Sequence, residues 1–287
     1  MNNKNIFVIA KKEANDYLHD SGFLIILSIC TVIIFASTYI PASMTTATTV
    51  LSSINVKMIS QFIPLIGIAL GFNTVVKERI SGSLNVLLTH PVYRDNIITG
   101  KIVGTILVLA VIIVFSVLVS TGAVIIFYGR AVEYMELERI FILTIFTFLY
   151  ACIYLFISVF ISINVKTSSE ALIYNIIIWL ATCVLFGSLL KTTVFILTEQ
   201  TSVDSVLIMQ LLNLSPIHHY AQAIGGSADY GFGGVNAKAA IYGFFDTRYT
   251  LTQIFNEFWV NIVILIITPI ILLVATFITF LRKDITL

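Results

Sequence analysis

Charge is what this sequence has least of. Of its 287 residues, 11% are Asp, Glu, Lys or Arg and 58% are hydrophobic, whereas water-soluble domains carry about a quarter charged residues. That balance excludes an ordinary soluble globular protein. The net charge of +1 supplies no basic face for nucleic acid, and none is expected as a partner. Cysteine is scarce too. Cys30, Cys152 and Cys183 each lie in an apolar run without CxxC spacing, the pattern of buried thiols rather than of a disulfide framework or a metal site. Also missing is any G-x-x-x-x-G-K-[ST] phosphate loop, so the chain does not hold ATP in that manner itself. It lacks HExxH, Gly-x-Gly-Asp and G-x-S-x-G as well, which removes the signatures of a membrane enzyme. No repeat of 20–50 residues and no inverted repeat of the apolar runs is visible.

What is present is a series of apolar runs of about twenty residues, the mark of membrane-spanning helices. The expected fold is an all-α membrane protein with six spans: about Phe23–Tyr39, Met58–Val76, Ile97–Tyr128, Ile140–Ile163, Ala171–Leu190 and Phe258–Leu281. Pro41 ends the first, and Pro64 and Pro269 fall inside the second and sixth, where neighbours must satisfy the carbonyls they free. Met1–Asp20 is too polar for a cleavable signal peptide. Residues 1–22 instead form an amphipathic interface helix. Ile6, Phe7, Ile9, Ala10, Ala14, Tyr17 and Leu18 share one side, and Lys11, Lys12, Asn15, Asp16, His19 and Asp20 the other, with Val8 and Glu13 out of place. Such a helix lies among lipid headgroups; a soluble cap on a partner is the competing reading.

Lys and Arg set the orientation. Ten lie on the side that would hold both termini and six on the other, and the bias sharpens in short loops, so both termini are expected in the cytoplasm. The chain then divides into residues 1–22, spans one to five over 23–190 with a cytoplasmic segment at 77–101, an extracytoplasmic cap at 191–257, and the last span with its cytoplasmic tail at 258–287. Within the cap, "VDSVLIMQLLNLSPIHHYAQAIGG" reads as one or two short helices broken at Ser215-Pro216, followed by a glycine-rich aromatic run.

The segment "KERISGSLNVLLTHPVYRDNIITGK" is the sizeable polar interruption of the first half. Lys77, Glu78 and Arg79 mark the exit from span two. Gly82 allows a sharp change of direction, and Ser81 or Ser83 can cap a new helix. Leu84, Leu87 and Leu88 form one apolar stripe at i, i+3 and i+4. Pro91 ends it, and Asp95 can cap a helix that runs from Asn96 to Tyr128, roughly 50 Å at 1.5 Å per residue. A short amphipathic helix between two long spans suits a coupling element whose leucines enter a groove on a soluble partner. It equally suits a re-entrant turn resting on the membrane, and the pattern alone leaves both open.

The order Glu78, Gly82, Ser83, Leu84, Leu87, Leu88, Pro91, Val92, Arg94, then Gly100-Lys101, resembles the cytoplasmic signature of the ABC type-2 permease family, E-x-x-x-G-T-L-x-x-L-L-x-x-P-V-x-R with G-K shortly after. Ser83 replaces the usual Thr. "LNLSPIHHYAQA" is similar to the Asn-x-Pro-type segment of the subgroup containing the nitrous-oxide reductase maturation permease. The resemblance implies the transmembrane subunit of an ATP-driven transporter in a prokaryotic plasma membrane, with export the default direction. It implies a second permease copy, identical or related, and a separate cytoplasmic nucleotide-binding ATPase subunit that carries ATP and Mg; no cofactor is expected in this chain. Glu78–Arg94 would be the coupling helix, its leucines filling the ATPase groove and Glu78 and Arg94 pairing with charges at the groove edge or within the turn.

A stand-alone membrane protein is the alternative. A secondary transporter would normally place charges near mid-bilayer, paired between two halves, and the span centres here are nearly free of charge. A path walled by apolar and aromatic side chains, 21 Phe and 12 Tyr, hints at a lipidic or amphiphilic cargo. His218-His219 invites a metal reading, but adjacent side chains diverge by about 100° on a helix, so packing is the expected role unless Asp229 or Asp246 completes a site. Glu170, Glu257 and Lys57 sit at span ends, where charges snorkel. Asn175 and Asn261 read as interhelical amides.

Overall fold

The computed structural model describes residues 3–42, 56–83, 93–129, 132–198, 210–226 and 243–283. Among them every regular element is helical. The chain runs through α1 (Asn3–His19), α2 (Ser21–Ala42), α3 (Val56–Gly71), α4 (Val76–Ile80), α5 (Arg94–Tyr128), α6 (Tyr134–Asn164), α7 (Ser168–Trp179), a π-turn (Leu180–Val184), α8 (Phe186–Thr198), α9 (Pro216–Gly225), a 3₁₀ turn (Gly243–Phe245) and α10 (Leu251–Arg282). Four stretches, Ile59–Ile80, Arg94–Phe127, Tyr134–Asn164 and Leu251–Arg282, are long and apolar enough to cross a membrane. Two bent pairs, α1 with α2 and α7 with α8, raise the number to as many as six.

α6 is the axis of the bundle. Tyr150 to Phe156 are buried without interruption, and a helix buried on all sides belongs at the centre. α3 and α10 pack along it, and α9 reaches it near one end. The approach of α3 is close because it offers Gly67 and Gly71. A Cβ on Gly67 would lie 2.8 Å from the Ala151 carbonyl, and one on Gly71 2.6 Å from Ser158 Cβ. Small residues four apart bring two backbones together in this way.

Pro64 has no N–H, so the carbonyl of Ser60 loses its helical donor. Tyr150 supplies the replacement, its hydroxyl donating to Ser60 O at 3.0 Å. One residue on, Trp179 Nε1 donates to Gln61 O at 2.8 Å. The expected repair of a proline-interrupted span is thus made by α6 and α7. The hydroxyls of Tyr150 and Tyr154 also meet Cys183 Sγ at 3.3 Å and 3.0 Å, and the Tyr150 ring stacks on Tyr220 of α9 at 4.7 Å.

Several span boundaries differ from the sequence expectation: α2 runs through Pro41 to Ala42, α6 begins at Tyr134 rather than Ile140, and α10 at Leu251 rather than Phe258. Span two stops at Gly71, turns through 72–75 and resumes as α4; Ser162 Oγ of α6 accepts from Val75 N and Val76 N, both at 3.1 Å. Span five is not one rod, because Ser168–Val184 and Phe186–Ile196 meet at 69°. Leu185 N bonds back to Leu180 O, one residue further than in an α-helix, and Ser215 Oγ donates to the Thr182 carbonyl at the bend. α5 begins at Arg94 rather than Asn96, so Asp95 stands in its first turn and does not cap it; the N-cap Tyr93 makes no side-chain bond.

At the same end as the bend, α9 starts with Pro216 in its first turn, where a missing N–H costs nothing. Ile217 to Ala221 are all buried, against α10, α6 and α3. Arg139 of α6, itself buried, fastens the adjoining turn by donating to Phe244 O at 2.5 Å, Asp246 O at 2.9 Å and Tyr249 O at 2.8 Å.

Tyr150→Phe leaves the Ser60 carbonyl buried without its side-chain donor and should cost about 1–3 kcal/mol. Pro64→Ala returns a backbone N–H to that carbonyl, so the penalty of Tyr150→Phe should shrink in the Pro64→Ala background. Thermal unfolding of the four proteins in one detergent measures this. An equal penalty in both backgrounds would show that Tyr150 does not compensate for Pro64.

Candidate functional site

The Lys77–Lys101 region is approached by α1, whose stripe of Ile6, Ile9, Ala10, Glu13 and Tyr17 turns toward α5 and α3. α5 meets it with Gly100 and Gly104. A Cβ on Gly100 would fall 2.7 Å from Ile9 Cβ, and one on Gly104 2.7 Å from the Ala10 carbonyl. This contact accounts for Glu13, the residue that breaks the apolar arc. Its side chain is buried opposite Lys101 of α5, whose Nζ donates to Glu13 Oε2 at 3.0 Å and pairs with Glu78 Oε1 of α4 at 2.9 Å. The Lys101 side chain is only 2% exposed. One buried ammonium therefore joins three helices, and one of its partners is the glutamate of the sequence motif.

Beside the triad the Tyr17 hydroxyl donates to Leu70 O and lies 3.1 Å from Thr74 Oγ1, just where α3 gives way to the turn. A cleft of about 270 Å³ opens there, with Glu13, Asp16, Asn73, Glu78, Ser83 and Lys101 among its walls. Among the described residues, Glu78 Oε2 and Asn73 Oδ1 face no hydrogen-bond partner.

A second set of charges holds α4 to the end of α6. Arg79 donates through Nη1 to Ile163 O at 3.3 Å and through Nη2 to Val165 O. Lys283, just past α10, donates to Ile163 O at 3.0 Å and Asn164 O at 3.1 Å. The last carbonyls of a helix lack internal donors and carry partial negative charge, so cations are the fitting caps. Desolvation, with Arg79 nearby, holds the Lys283 ammonium below the ordinary lysine range.

Gly82 takes φ +72°, a left-handed conformation that ends α4 and turns the chain as expected. Ser81 and Ser83 turn back: both hydroxyls donate to Glu78 O, at 3.2 Å and 3.3 Å. Within the described residues they cap the end of α4 rather than the start of another helix. Arg94 opens α5 and makes no ion pair among the described residues. Glu78, Gly82 and Ser83 thus sit together with Lys101, while Leu84, Leu87, Leu88 and Pro91 lie outside the described residues.

Glu13, Tyr17 and the pairing role of Lys101 were not anticipated from the sequence. The usable signals were the misplaced glutamate on the α1 wheel and the spacing Gly100-x-x-x-Gly104. Elsewhere His219 is held by Asn261 Oδ1 at 2.7 Å and Asn213 O at 2.8 Å, which makes Asn261 an interhelical amide as expected. Asn175 instead donates to Ala171 O of its own helix. Glu170 closes the start of α7, accepting from Lys166 N. No group of three or more His, Cys, Asp or Glu suited to a metal occurs among the described residues; Asp229 lies outside them.

The geometry is that of a polytopic bundle with a charged, three-helix junction beside the interrupted second span. In sequence, the chain is 29% identical over 142 residues to the probable ABC transporter permease protein NosY of Stutzerimonas stutzeri, covering 47% of this chain and 50% of that protein. The aligned part thus spans about half the length of that relative. The profile of the family described as ABC-2 family transporter protein matches residues 7–285, and the chain belongs to that family as a multi-pass membrane protein.

Proposed function

We propose that this chain is the permease subunit of an ATP-driven exporter in a prokaryotic plasma membrane, with both termini cytoplasmic and six spans, the two bent pairs included. It works beside a second permease copy, identical or related, and a separate nucleotide-binding ATPase subunit that holds ATP and Mg. The ATPase docks on the segment from Glu78 to Arg94, with Leu84, Leu87 and Leu88 entering its groove and Pro91 closing the helix. The observation that carries this reading is the Lys101 junction. A push on the segment after Glu78 passes through Glu78 to Lys101, at the base of α5, and to Glu13 on α1. Arg79 passes the same push to the end of α6. A segment resting on the membrane would have no need of such rigid anchorage on both sides.

Two experiments test it. Replacing Leu84, Leu87 and Leu88 together by Asp, or Gly82 by Pro, should leave membrane insertion intact and abolish co-purification of the ATPase from the native host. Unchanged co-purification would remove the coupling role. Lys101→Met strands two largely buried carboxylates and should cost about 3–5 kcal/mol, nearer the lower figure because Glu78 keeps some exposure. Combining it with Glu13→Gln and Glu78→Gln removes the stranded charges and should recover most of that loss. Thermal unfolding in detergent reads both, and equal stability of the single variant and the wild type would show that the junction is not structural.

A further inference from the structure

α1 has a second face that the junction with α5 does not use. Phe7, Lys11, Ala14 and Leu18 follow at i, i+4, i+7 and i+11, one stripe of a helix. Together with Val103 and Leu107 of α5 they wall an open groove of about 570 Å³, within the ~300–1,000 Å³ of small-ligand sites. Apart from Lys11 and Asn15 the lining is apolar, and it is in contact with the surroundings: Phe7 is 70% exposed, Leu107 55% and Leu18 51%. From Leu107 the apolar surface continues up α5 through the exposed Val111, Val114 and Leu118, on a helix long enough to cross the bilayer. The groove is therefore continuous with hydrocarbon, and Lys11 stands in its wall with no ion pair or hydrogen bond among the described residues.

We propose that this groove binds one phospholipid with an anionic headgroup, an acyl chain lying between α1 and α5 and the phosphate paired with Lys11. Apolar walls open toward the hydrocarbon select a chain, and the Lys11 ammonium in the groove wall, on a helix that lies among headgroups, selects negative charge. A second protein chain would need polar complements for that lysine and would not need an opening toward lipid. The site stands apart from the Glu13–Lys101–Glu78 junction and does not depend on how the ATPase docks.

The test is native mass spectrometry of the full chain, delipidated in detergent and titrated with phosphatidylglycerol or phosphatidylcholine of the same acyl composition. Wild-type protein should hold phosphatidylglycerol about fivefold better, the order expected of one lysine beside an anionic headgroup. Lys11→Glu should abolish that preference, whereas Lys12→Glu, the same change in charge at an exposed neighbour outside the groove, should keep it. Ala14→Phe should fill the groove and reduce retention of both lipids. Loss of preference to the same extent in both lysine variants, or in neither, would overturn the proposal. So would a dimer that Ala14→Phe dissociates without changing lipid retention, which would give the groove to a second copy.

Discussion

The ammonium of Lys101, shut away from water between Glu13 and Glu78, is the constraint around which one end of this protein is organised. A charge held in so little solvent must keep its partners, since an unpaired one costs several kcal/mol. The partners come from two other helices, so α1, α4 and α5 are tied to one arrangement. Gly100 and Gly104 permit it by letting α1 come against the α5 backbone. Without those glycines the Glu13 carboxylate could not reach the lysine; without the lysine Glu13 would be an error in an apolar stripe. Arg79 and Lys283 repeat the logic at the end of α6, where two cations meet carbonyls that have no helical donors.

The rest of the bundle follows the companion rule for a chain in lipid, that each freed backbone group must find a partner within the protein. The carbonyl exposed by Pro64 is taken by Tyr150 and its neighbour by Trp179. The turn after Gly71 hands two N–H groups to Ser162, and the π-turn of span five is met by Ser215. Each repair is made by a different helix from the one that is broken. The irregular points are consequently where the helices are most firmly joined, and the described residues, which hold no strand, gain their cross-links there.

The apolar runs made the all-helical membrane architecture legible, because a run of about twenty apolar residues has few other uses. The turn at Gly82 was legible for a similar local reason. The junction was only half legible. Glu78, Gly100 and Lys101 stand in the motif, whose order leaves Glu78 to pair at a groove edge or within the turn and does not reveal that it meets Lys101. A wheel of α1 marked Glu13 as misplaced but held no information on what lay opposite, 88 residues away. Neither proline nor glycine falls within Leu180–Val184 to mark the bend of span five; the nearest glycine, Gly187, comes after it.

What the sequence by itself determined is therefore what depends on near neighbours: which stretches avoid water, where proline and glycine interrupt them, and which motif follows span two. Solvation and backbone sterics act over a few residues, and a linear pattern records them. The tertiary structure alone decided which carboxylate meets Lys101, which side chain repairs each broken helix, and where α1 leaves a groove against α5. Those depend on contacts between helices distant in the chain, where a charge or a hydroxyl takes its meaning from what the fold sets against it.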